Sequence, residues 1–151
     1  MQFTLTNHAC PDTVARILET VPGWFGRPES NREYIDAANT LRGISVITTH
    51  GITVGVLLIE EHFPHSWEVH LMAVDAAFHG RGIGTALMKA TEDLARELGV
   101  KLLQVKTLGA SHPDTYYAKT RRFYEGYGFI PLEEHDLWGE DTPCLVLVKP
   151  L

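Results

Sequence analysis

The pattern of hydrophobic and polar positions along the chain predicts an alternation of strands and helices. Near the N-terminus it predicts a short strand at residues 3–6 and a helix that begins at Pro11 and stops at Pro22-Gly23. The stretch Ser30-Asn31-Arg32-Glu33 has the spacing of a capping box, so we expect a second short helix to begin there and to run to Ala38.

The middle of the chain is rich in residues that favour strands. Residues 44–49 and 52–59 contain many β-branched side chains and are separated by His50-Gly51, which predicts a β-hairpin. A third strand is expected at Trp67–Val74. From Gly82 to Leu98 the apolar residues recur at helical spacing and predict one long amphipathic helix.

The last third of the chain continues the alternation. It predicts a strand at residues 101–106, a helix at 115–127 that Gly128 ends, and final strands at 129–130 and 144–148. This mixed order of elements predicts the α+β class, with helices flanking a mixed central β-sheet.

Length and composition narrow the class of protein. With 151 residues, of which 44% are hydrophobic and 21% charged, the chain fits one soluble domain spanning 1–151. It has no apolar run of membrane-spanning length and no signal-peptide pattern at its N-terminus, so we expect a cytoplasmic protein with no membrane partner. Cys10 and Cys144 are too few and too distant for a disulfide framework or a paired zinc site.

The charge balance argues against nucleic acid as a partner. The chain has 19 Asp plus Glu against 13 Lys plus Arg and a formal net charge of −6. Nucleic-acid-binding proteins concentrate positive charge on one face. We therefore expect a small ligand.

The most informative segment is the glycine-rich stretch between the third strand and the long helix. Gly80, Gly82 and Gly84 alternate there, and free N–H groups at the start of a helix form an anion site that suits a pyrophosphate. A Walker A loop would need Gly-Lys-Ser/Thr, and a dinucleotide fingerprint would need glycine where this chain has Thr85. A tight turn without a ligand is the remaining alternative.

Two segments resemble the signatures of the GNAT family of N-acetyltransferases. VDAAFHGRGIGTALM, at residues 74–88, is similar to the family's acyl-CoA pyrophosphate segment, Gln/Arg-x-x-Gly-x-Gly/Ala after a strand that ends in Val. FYEGYGF, at residues 123–129, is similar to its second signature, Phe/Leu-Tyr-x-x-x-Gly-Phe. Both lie in the family order, and the resemblance is clear over residues 67–130. It implies the GNAT fold, acetyl-CoA as co-substrate and no metal.

The resemblance also implies which residues contact acetyl-CoA. They are Met72, Ala73, Val74, His79, Gly80, Arg81, Gly82, Ile83, Gly84, Thr85, Tyr117 and Thr120. The backbone at residues 72–74 is expected to polarise the thioester carbonyl and to pair with the pantetheine arm like an added strand. His79 stands where the family has Gln or Arg, so Arg81 becomes the dependable cation, and Tyr117 replaces an asparagine that is frequent in the family.

Direct transfer of an acetyl group to an amine, which the resemblance implies, needs an acid for the departing thiolate. Tyr124 is the candidate, because a phenol has a pKa of about 10 and a thiol of about 8.5. The alternative is that Tyr124 only packs between Phe123 and Phe129.

The reaction also needs a base for the amine. Alternation along the third strand predicts that Glu68, His70 and Met72 share one face. We expect His70 to be the base, directly or through water, with Glu68 as the second candidate. A histidine that merely satisfies a buried hydrogen bond stays the alternative.

Two further clusters remain open at this point. Residues 60–70 contain three His and three Glu, but their spacing matches no standard metal-ligand set, and a solvated loop is the favoured interpretation. Trp24, Phe25, Arg27 and Tyr34 fall where the family shapes its acceptor pocket, although they could equally pack the first two helices on the sheet.

The sequence therefore predicts an N-acetyltransferase that uses acetyl-CoA and acts on an amine, with a small molecule favoured as acceptor. The surplus carboxylates Glu60, Glu61 and Glu68 would suit a cationic amine. An acyl-CoA-binding sensor without activity and an enzyme that acetylates proteins or peptides are the alternatives. A homodimer is common in the family, but no surface pattern argues for one here.

Overall fold

The structure, a computed structural model that describes residues 2–151, is built on seven strands and four helices. The strands are β1 (Phe3–Thr6), β2 (Arg42–Thr48), β3 (Thr53–Phe63), β4 (Ser66–Val74), β5 (Leu102–Leu108), β6 (Ile130–His135) and β7 (Cys144–Pro150). The helices are α1 (Pro11–Thr20), α2 (Pro28–Ala37), α3 (Ile83–Glu97) and α4 (Thr115–Tyr127).

All seven strands pair into one mixed sheet with the order β1-β2-β3-β4-β5-β7-β6. Its neighbouring strands are antiparallel except β4 and β5, which are parallel. The α+β class and the predicted order of elements are confirmed. Among residues 2–151, no helix combines the length and the apolar character that crossing a lipid bilayer requires.

Some predicted boundaries are wrong. Helix α2 begins at Pro28, two residues before the predicted capping box, because the fixed φ of proline suits the first position of a helix. The Asn31 side chain donates instead to the Phe25 carbonyl, at 2.8 Å. Strand β3 continues to Phe63 and β6 to His135, since cross-strand pairing extends both through polar residues.

Two hydrophobic clusters lie on opposite faces of the sheet. On one face, the α3/α4 face, Ile83 and Leu87 of α3 and Tyr124 of α4 pack with side chains from the sheet. On the other, the α1/α2 face, Val14 and Ile17 of α1 pack with another set of sheet residues. The sheet therefore forms the middle layer of three.

A bulge in β4 exchanges the two faces partway along the strand. Leu71 pairs with Leu58 of β3 and Val69 pairs with Ile59, so His70 is an extra residue without a partner. Val69 belongs to the cluster on the α3/α4 face and Leu71 to the cluster on the α1/α2 face. In a regular strand these two residues would share a face.

Strands β4 and β5 part at the same level. Their ladder runs from Ser66 opposite Leu102 to Val69 opposite Val105, although β4 continues to Val74 and β5 to Leu108. Residues 70–74 of β4 therefore pair with β3 on one edge only. Within residues 2–151 the backbone of their other edge has no strand partner.

A half-buried carboxylate connects α4 and β7 to α3. Glu92 accepts hydrogen bonds from Tyr127 Oη at 2.8 Å, Lys149 Nζ at 2.9 Å and Arg96 Nη2 at 2.7 Å. Burial alone would raise the pKa of Glu92, but the hydrogen bonds from Lys149, Arg96 and Tyr127 lower it to about 2. The carboxylate stays ionised and holds the two helices side by side.

The close packing of α3 against the sheet depends on Gly55 of β3. A Cβ at this position would lie 2.7 Å from Ile83 Cγ2 and 3.2 Å from Leu87 Cδ1. We expect Gly55→Ala to lower the free energy of unfolding by about 1–3 kcal/mol, because the added carbon overpacks the core. Urea denaturation followed by circular dichroism measures it.

Gly126→Ala is the matched control. A Cβ at Gly126 meets no atom within 4 Å, and the residue lies inside α4, so alanine should raise stability by up to about 1 kcal/mol. Equal stability of Gly55→Ala and the wild type would contradict the packing argument.

Candidate active site

The turn between β4 and α3 requires two of its glycines. The Asp75 side chain accepts a hydrogen bond from Ala77 N at 2.9 Å and opens a short 3₁₀ turn at Ala76–Phe78. Gly80 and Gly82 then adopt φ values of 76° and 78°, in the left-handed region that other residues rarely enter. The chain reaches the first residue of α3 through this turn.

The N-terminus of α3 offers backbone N–H groups to a ligand. Its N-cap is Gly82, which has no side chain to cap the helix, and the first helical hydrogen bond joins Ala86 N to Gly82 O at 3.0 Å. Helix geometry therefore leaves the N–H groups of Ile83, Gly84 and Thr85 without helical acceptors. Together with the positive end of the helix dipole they form an anion site.

The two basic side chains of the turn are held differently. His79 Nε2 lies 2.8 Å from Val74 O, so Nε2 carries a proton and Nδ1 is an acceptor when the ring is neutral. His79 can thus donate to an anion only when the ring is protonated. The Arg81 guanidinium lies over the Phe78 ring at 5.2 Å.

Tyr124 lies in the core on the α3/α4 face. The residue is 4% exposed, and its ring meets those of Phe123 and Phe129 edge-on at centroid distances of 5.4 Å. Burial, with smaller contributions from Tyr34 and Tyr117, raises the pKa of Tyr124 well above the usual value of a phenol. The hydroxyl group is therefore protonated at neutral pH.

His70, the extra residue of the bulge, points to the α1/α2 face. Its ring meets the Tyr34 ring of α2 edge-on at 5.4 Å, and its Nδ1 lies 3.8 Å from Glu60 Oε2. The side chain is 30% exposed, so a molecule in solution can reach it.

Glu68 is the centre of a charge network. Its side chain is 8% exposed, and its Oε1 lies 2.7 Å from His62 Nε2 and 3.0 Å from Lys106 Nζ. Lys106 projects from β5 one residue beyond the last pair with β4, so this ion pair spans the point where the strands part. The sequence analysis did not identify Lys106 as a site residue. Its position in a predicted strand, next to Val105, was a signal that could have been used, because the structure half-buries this lysine.

The predicted grouping on β4 is wrong in one member. Glu68 and His70 lie together near Glu60, whereas Met72 packs with the cluster on the α3/α4 face, and its Cε lies 3.8 Å from the position that a Cβ on Gly84 would take. The bulge at His70 shifts the alternation by one residue, which is why Met72 changes face.

The three carboxylates that were expected to suit a cationic amine, Glu60, Glu61 and Glu68, already have partners within the protein. Glu61 is paired with Arg42 at 2.8 Å, and Glu68 is paired with Lys106. Glu60 lies near two imidazoles, His62 at 3.5 Å and His70 at 3.8 Å. Of the three expected carboxylates, Glu60 is thus the one whose described partners are imidazoles rather than Lys or Arg.

Three of these groups are close enough to share a cation. Ligand atoms of Glu60, Glu68 and His70 all lie within 4.8 Å of one another. Carboxylate oxygen and imidazole nitrogen are ordinary ligands of divalent metals. The Lys106 ammonium already occupies Glu68 and would compete with such an ion.

The polar groups of Tyr117 and Thr120, which the family resemblance assigned to the cofactor, meet the loop between α1 and α2. Tyr117 Oη donates to Trp24 O at 2.6 Å, and Trp24 Nε1 donates to Thr120 Oγ1 at 3.0 Å. Burial raises the pKa of Tyr117 to about 12, so this hydroxyl stays a donor. Phe25, the next residue of the loop, packs instead on Tyr34 at 5.7 Å.

Comparison with known sequences agrees with the geometry. A family model described as an acetyltransferase (GNAT) domain matches residues 41–131. Over 44 residues the chain is 48% identical to the N-alpha-acetyltransferase RimI of Mycobacterium tuberculosis, which covers 29% of this chain and 27% of that protein. Over 72 residues it is 32% identical to mycothiol acetyltransferase of Beutenbergia cavernae, covering 48% of this chain and 22% of that protein. The matches span roughly a quarter of each relative's length.

Solved structures share the fold over nearly the whole chain. An acetyltransferase of the GNAT family from Desulfovibrio desulfuricans superposes with a TM-score of 0.84 at 18% identity, over 99% of both chains. A GNAT family acetyltransferase from Elizabethkingia anophelis with acetyl-CoA bound has a TM-score of 0.73 at 17% identity, over 99% of this chain and 98% of that one. At such identities the likeness is one of fold. Because the family model matches more than half of the sequence and the mixed sheet has the same architecture, the chain belongs to the GNAT acetyltransferase family.

Proposed function

We propose that this protein transfers the acetyl group of acetyl-CoA directly to the amine of a small molecule. The observation that carries the proposal is the parting of β4 and β5 next to the uncapped N-terminus of α3. The helix N-terminus suits a pyrophosphate, and the free edge of β4 suits an extended chain that contains amides. Coenzyme A contains both groups. The acetyl-CoA-bound relative of the same fold supports this assignment.

The donor would lie in a groove bounded by residues 70–74 of β4, the turn at residues 79–82 and helix α4, which we call the donor groove. The amides of Ile83, Gly84 and Thr85 would bind the pyrophosphate, with Arg81 as a nearby cation. The free edge of β4 would pair with the amides of the pantetheine arm, as an added strand does. The thioester then lies near the bulge, between Tyr124 and His70.

The two faces of the sheet divide the chemistry. His70, on the α1/α2 face, takes a proton from the ammonium form of the acceptor, and the free amine attacks the thioester carbonyl carbon. A backbone N–H of β4 stabilises the oxyanion of the tetrahedral intermediate. When this intermediate collapses the C–S bond breaks, and the thiolate takes the hydroxyl proton of Tyr124. The attacking nitrogen gives up its second proton as the amide forms, which restores the Tyr124 hydroxyl through water, and His70 releases its proton to solvent.

The charge network favours His70 over Glu68 as the proposed base. Lys106 and His62 both lie within hydrogen-bond distance of Glu68 Oε1, so an acceptor amine would have to displace one of these partners to reach this oxygen. His70 is half-buried and reachable, and an imidazole changes protonation near neutral pH. Glu68 would then act through its charge, by holding Lys106 and His62 in place.

The proposed activity predicts thiol release from acetyl-CoA in the presence of an acceptor. A panel of polyamines, arylalkylamines, amino acids, aminoglycosides and peptides would be screened with a thiol reagent, and products would be identified by mass spectrometry. We expect release with at least one small amine. Binding of acetyl-CoA without release across the panel would instead indicate a sensor. Release with peptides alone would favour protein N-terminal acetylation, for which the local identity to RimI is the supporting observation.

Tyr124→Phe tests the acid. The substitution keeps the buried ring and removes the proton, so we expect kcat to fall by about 100-fold or more while the Kd for acetyl-CoA is unchanged. Tyr127→Phe, on the same helix, is the control, because its hydroxyl donates to Glu92 rather than to the groove. Wild-type turnover in Tyr124→Phe would exclude the acid role.

His70→Gln tests the base through its pH profile. At neutral pH, kcat/KM should fall by about 100-fold, because the acceptor amine has lost its proton acceptor. Near pH 10 the deficit should shrink, since an amine with a pKa of about 10.4 deprotonates unaided. His65→Gln is the control, as its Nδ1 bonds the Gly99 carbonyl at 2.9 Å, remote from the bulge. A constant deficit at every pH would argue for a positional role of His70.

A further inference from the structure

Trp24 contacts helix α4 and the turn after β4, whereas the sequence left open whether it shapes an acceptor pocket or packs the first two helices on the sheet. Its Nε1 is within hydrogen-bond distance of two acceptors on α4, Thr120 Oγ1 at 3.0 Å and Tyr116 O at 3.1 Å. Its ring meets the Tyr116 ring edge-on at a centroid distance of 4.8 Å. The indole is thereby fixed against the N-terminal half of α4.

The indole also contacts the turn after β4. The Trp24 and His79 rings meet edge-on at 5.6 Å, and His79 is itself held by Val74 O at 2.8 Å. Trp24 therefore bridges the turn at residues 79–82 and helix α4. These are two of the three boundaries of the donor groove.

The backbone of the loop between α1 and α2 is also held against helix α4. Tyr117 Oη donates to Trp24 O at 2.6 Å, and a Cβ on Gly23 would lie 2.7 Å from Tyr116 Cζ, so the chain passes directly against the Tyr116 ring. The next residue, Phe25, turns to Tyr34 and the acceptor side. Adjacent residues of one loop thus serve opposite sides of the site.

Under the proposed function the donor runs from the N-terminus of α3 along the free edge of β4, with the turn at residues 79–82 and helix α4 on its two sides. Helix α4 is fixed on the far side of this path, where Arg121 Nη1 donates to Leu108 O of β5 at 2.6 Å. The indole connects the two sides of the path at the level of Thr120, one helical turn before Tyr124. A pantetheine arm on this path would therefore contact the indole.

We propose that Trp24 is a cofactor-binding residue whose indole closes the donor groove over the pantetheine arm, from His79 to Thr120. The proposal rests on the proposed function, since it presumes coenzyme A in the groove. It assigns to the loop between α1 and α2 a direct part in retaining the donor, in addition to any contact that Phe25 and Tyr34 make with the acceptor.

The test compares two ligands by isothermal titration calorimetry. Coenzyme A has the pantetheine arm, whereas adenosine 3′-phosphate 5′-diphosphate has the nucleotide and the pyrophosphate but no arm. We expect Trp24→Ala to raise the Kd for coenzyme A by about 10-fold and to leave the Kd for the fragment unchanged, because the lost contact is to the arm alone. Trp24→Phe, which keeps a ring without the N–H group, should give a smaller increase.

Trp138→Phe is the matched control, since Trp138 is 41% exposed in the loop between β6 and β7. Equal weakening of both ligands by Trp24→Ala would mean a disordered site and would overturn the proposal, as would tighter or unchanged binding of coenzyme A. If the wild type and Trp24→Ala both fail to bind coenzyme A, the proposed function and the role of Trp24 are both contradicted. Wild-type binding with an unchanged ratio of the two Kd values overturns the role of Trp24 alone.

Fluorine NMR of protein labelled with 5-fluorotryptophan gives a readout in the unmutated protein. The chain has three tryptophans, and Trp24→Phe assigns one resonance. Coenzyme A should shift the Trp24 resonance and leave that of Trp138 in place, whereas the fragment should shift neither. A Trp24 resonance that coenzyme A does not move would contradict direct contact.

Discussion

The hydrogen-bonding capacity of the β4 backbone is the constraint on which the rest of the structure depends. Inside a sheet each strand satisfies N–H and C=O groups on both edges, and beyond Val69 one edge of β4 loses its partner strand. Such an edge must be satisfied by water or by a ligand. The glycine turn and the N-terminal amides of α3 follow directly after this strand, and under the proposed function they and Tyr124 act on the donor that pairs with it.

The electrostatics of the chain follow from the same arrangement. A protein with a net charge of −6 repels anions at long range, and a site that binds a pyrophosphate needs a local source of positive potential. Backbone amides at a helix start supply it without requiring basic side chains elsewhere. Glu60 and Glu68 lie on the opposite face, where Lys106 already balances Glu68, whereas Glu61 is paired with Arg42, whose guanidinium lies over the Trp67 ring.

Periodicity and short motifs predicted the order of elements, because burial of one helix face or one strand face leaves a record in the spacing of apolar residues. The glycine turn was predicted for a different reason, since positive φ at Gly80 and Gly82 restricts the residue type. The bulge left no such record, because an extra residue in a strand resembles a regular strand until its partner is known. Met72 was therefore assigned to the wrong face. Lys106 and Trp24 were missed as partners of Glu68 and Thr120, which lie 38 and 96 residues away in sequence.

Because of the bulge in β4, substitution and deletion at position 70 have different structural consequences. Substitution at position 70 changes the chemistry presented to the α1/α2 face and leaves the strand register as it is. Deletion of that single residue would join Val69 directly to Leu71, which already lie on opposite faces, so strict alternation would return and the other side chains of β4 would keep their faces. What the strand would lose is the bend of the bulge and the side chain that the extra residue presents to the α1/α2 face.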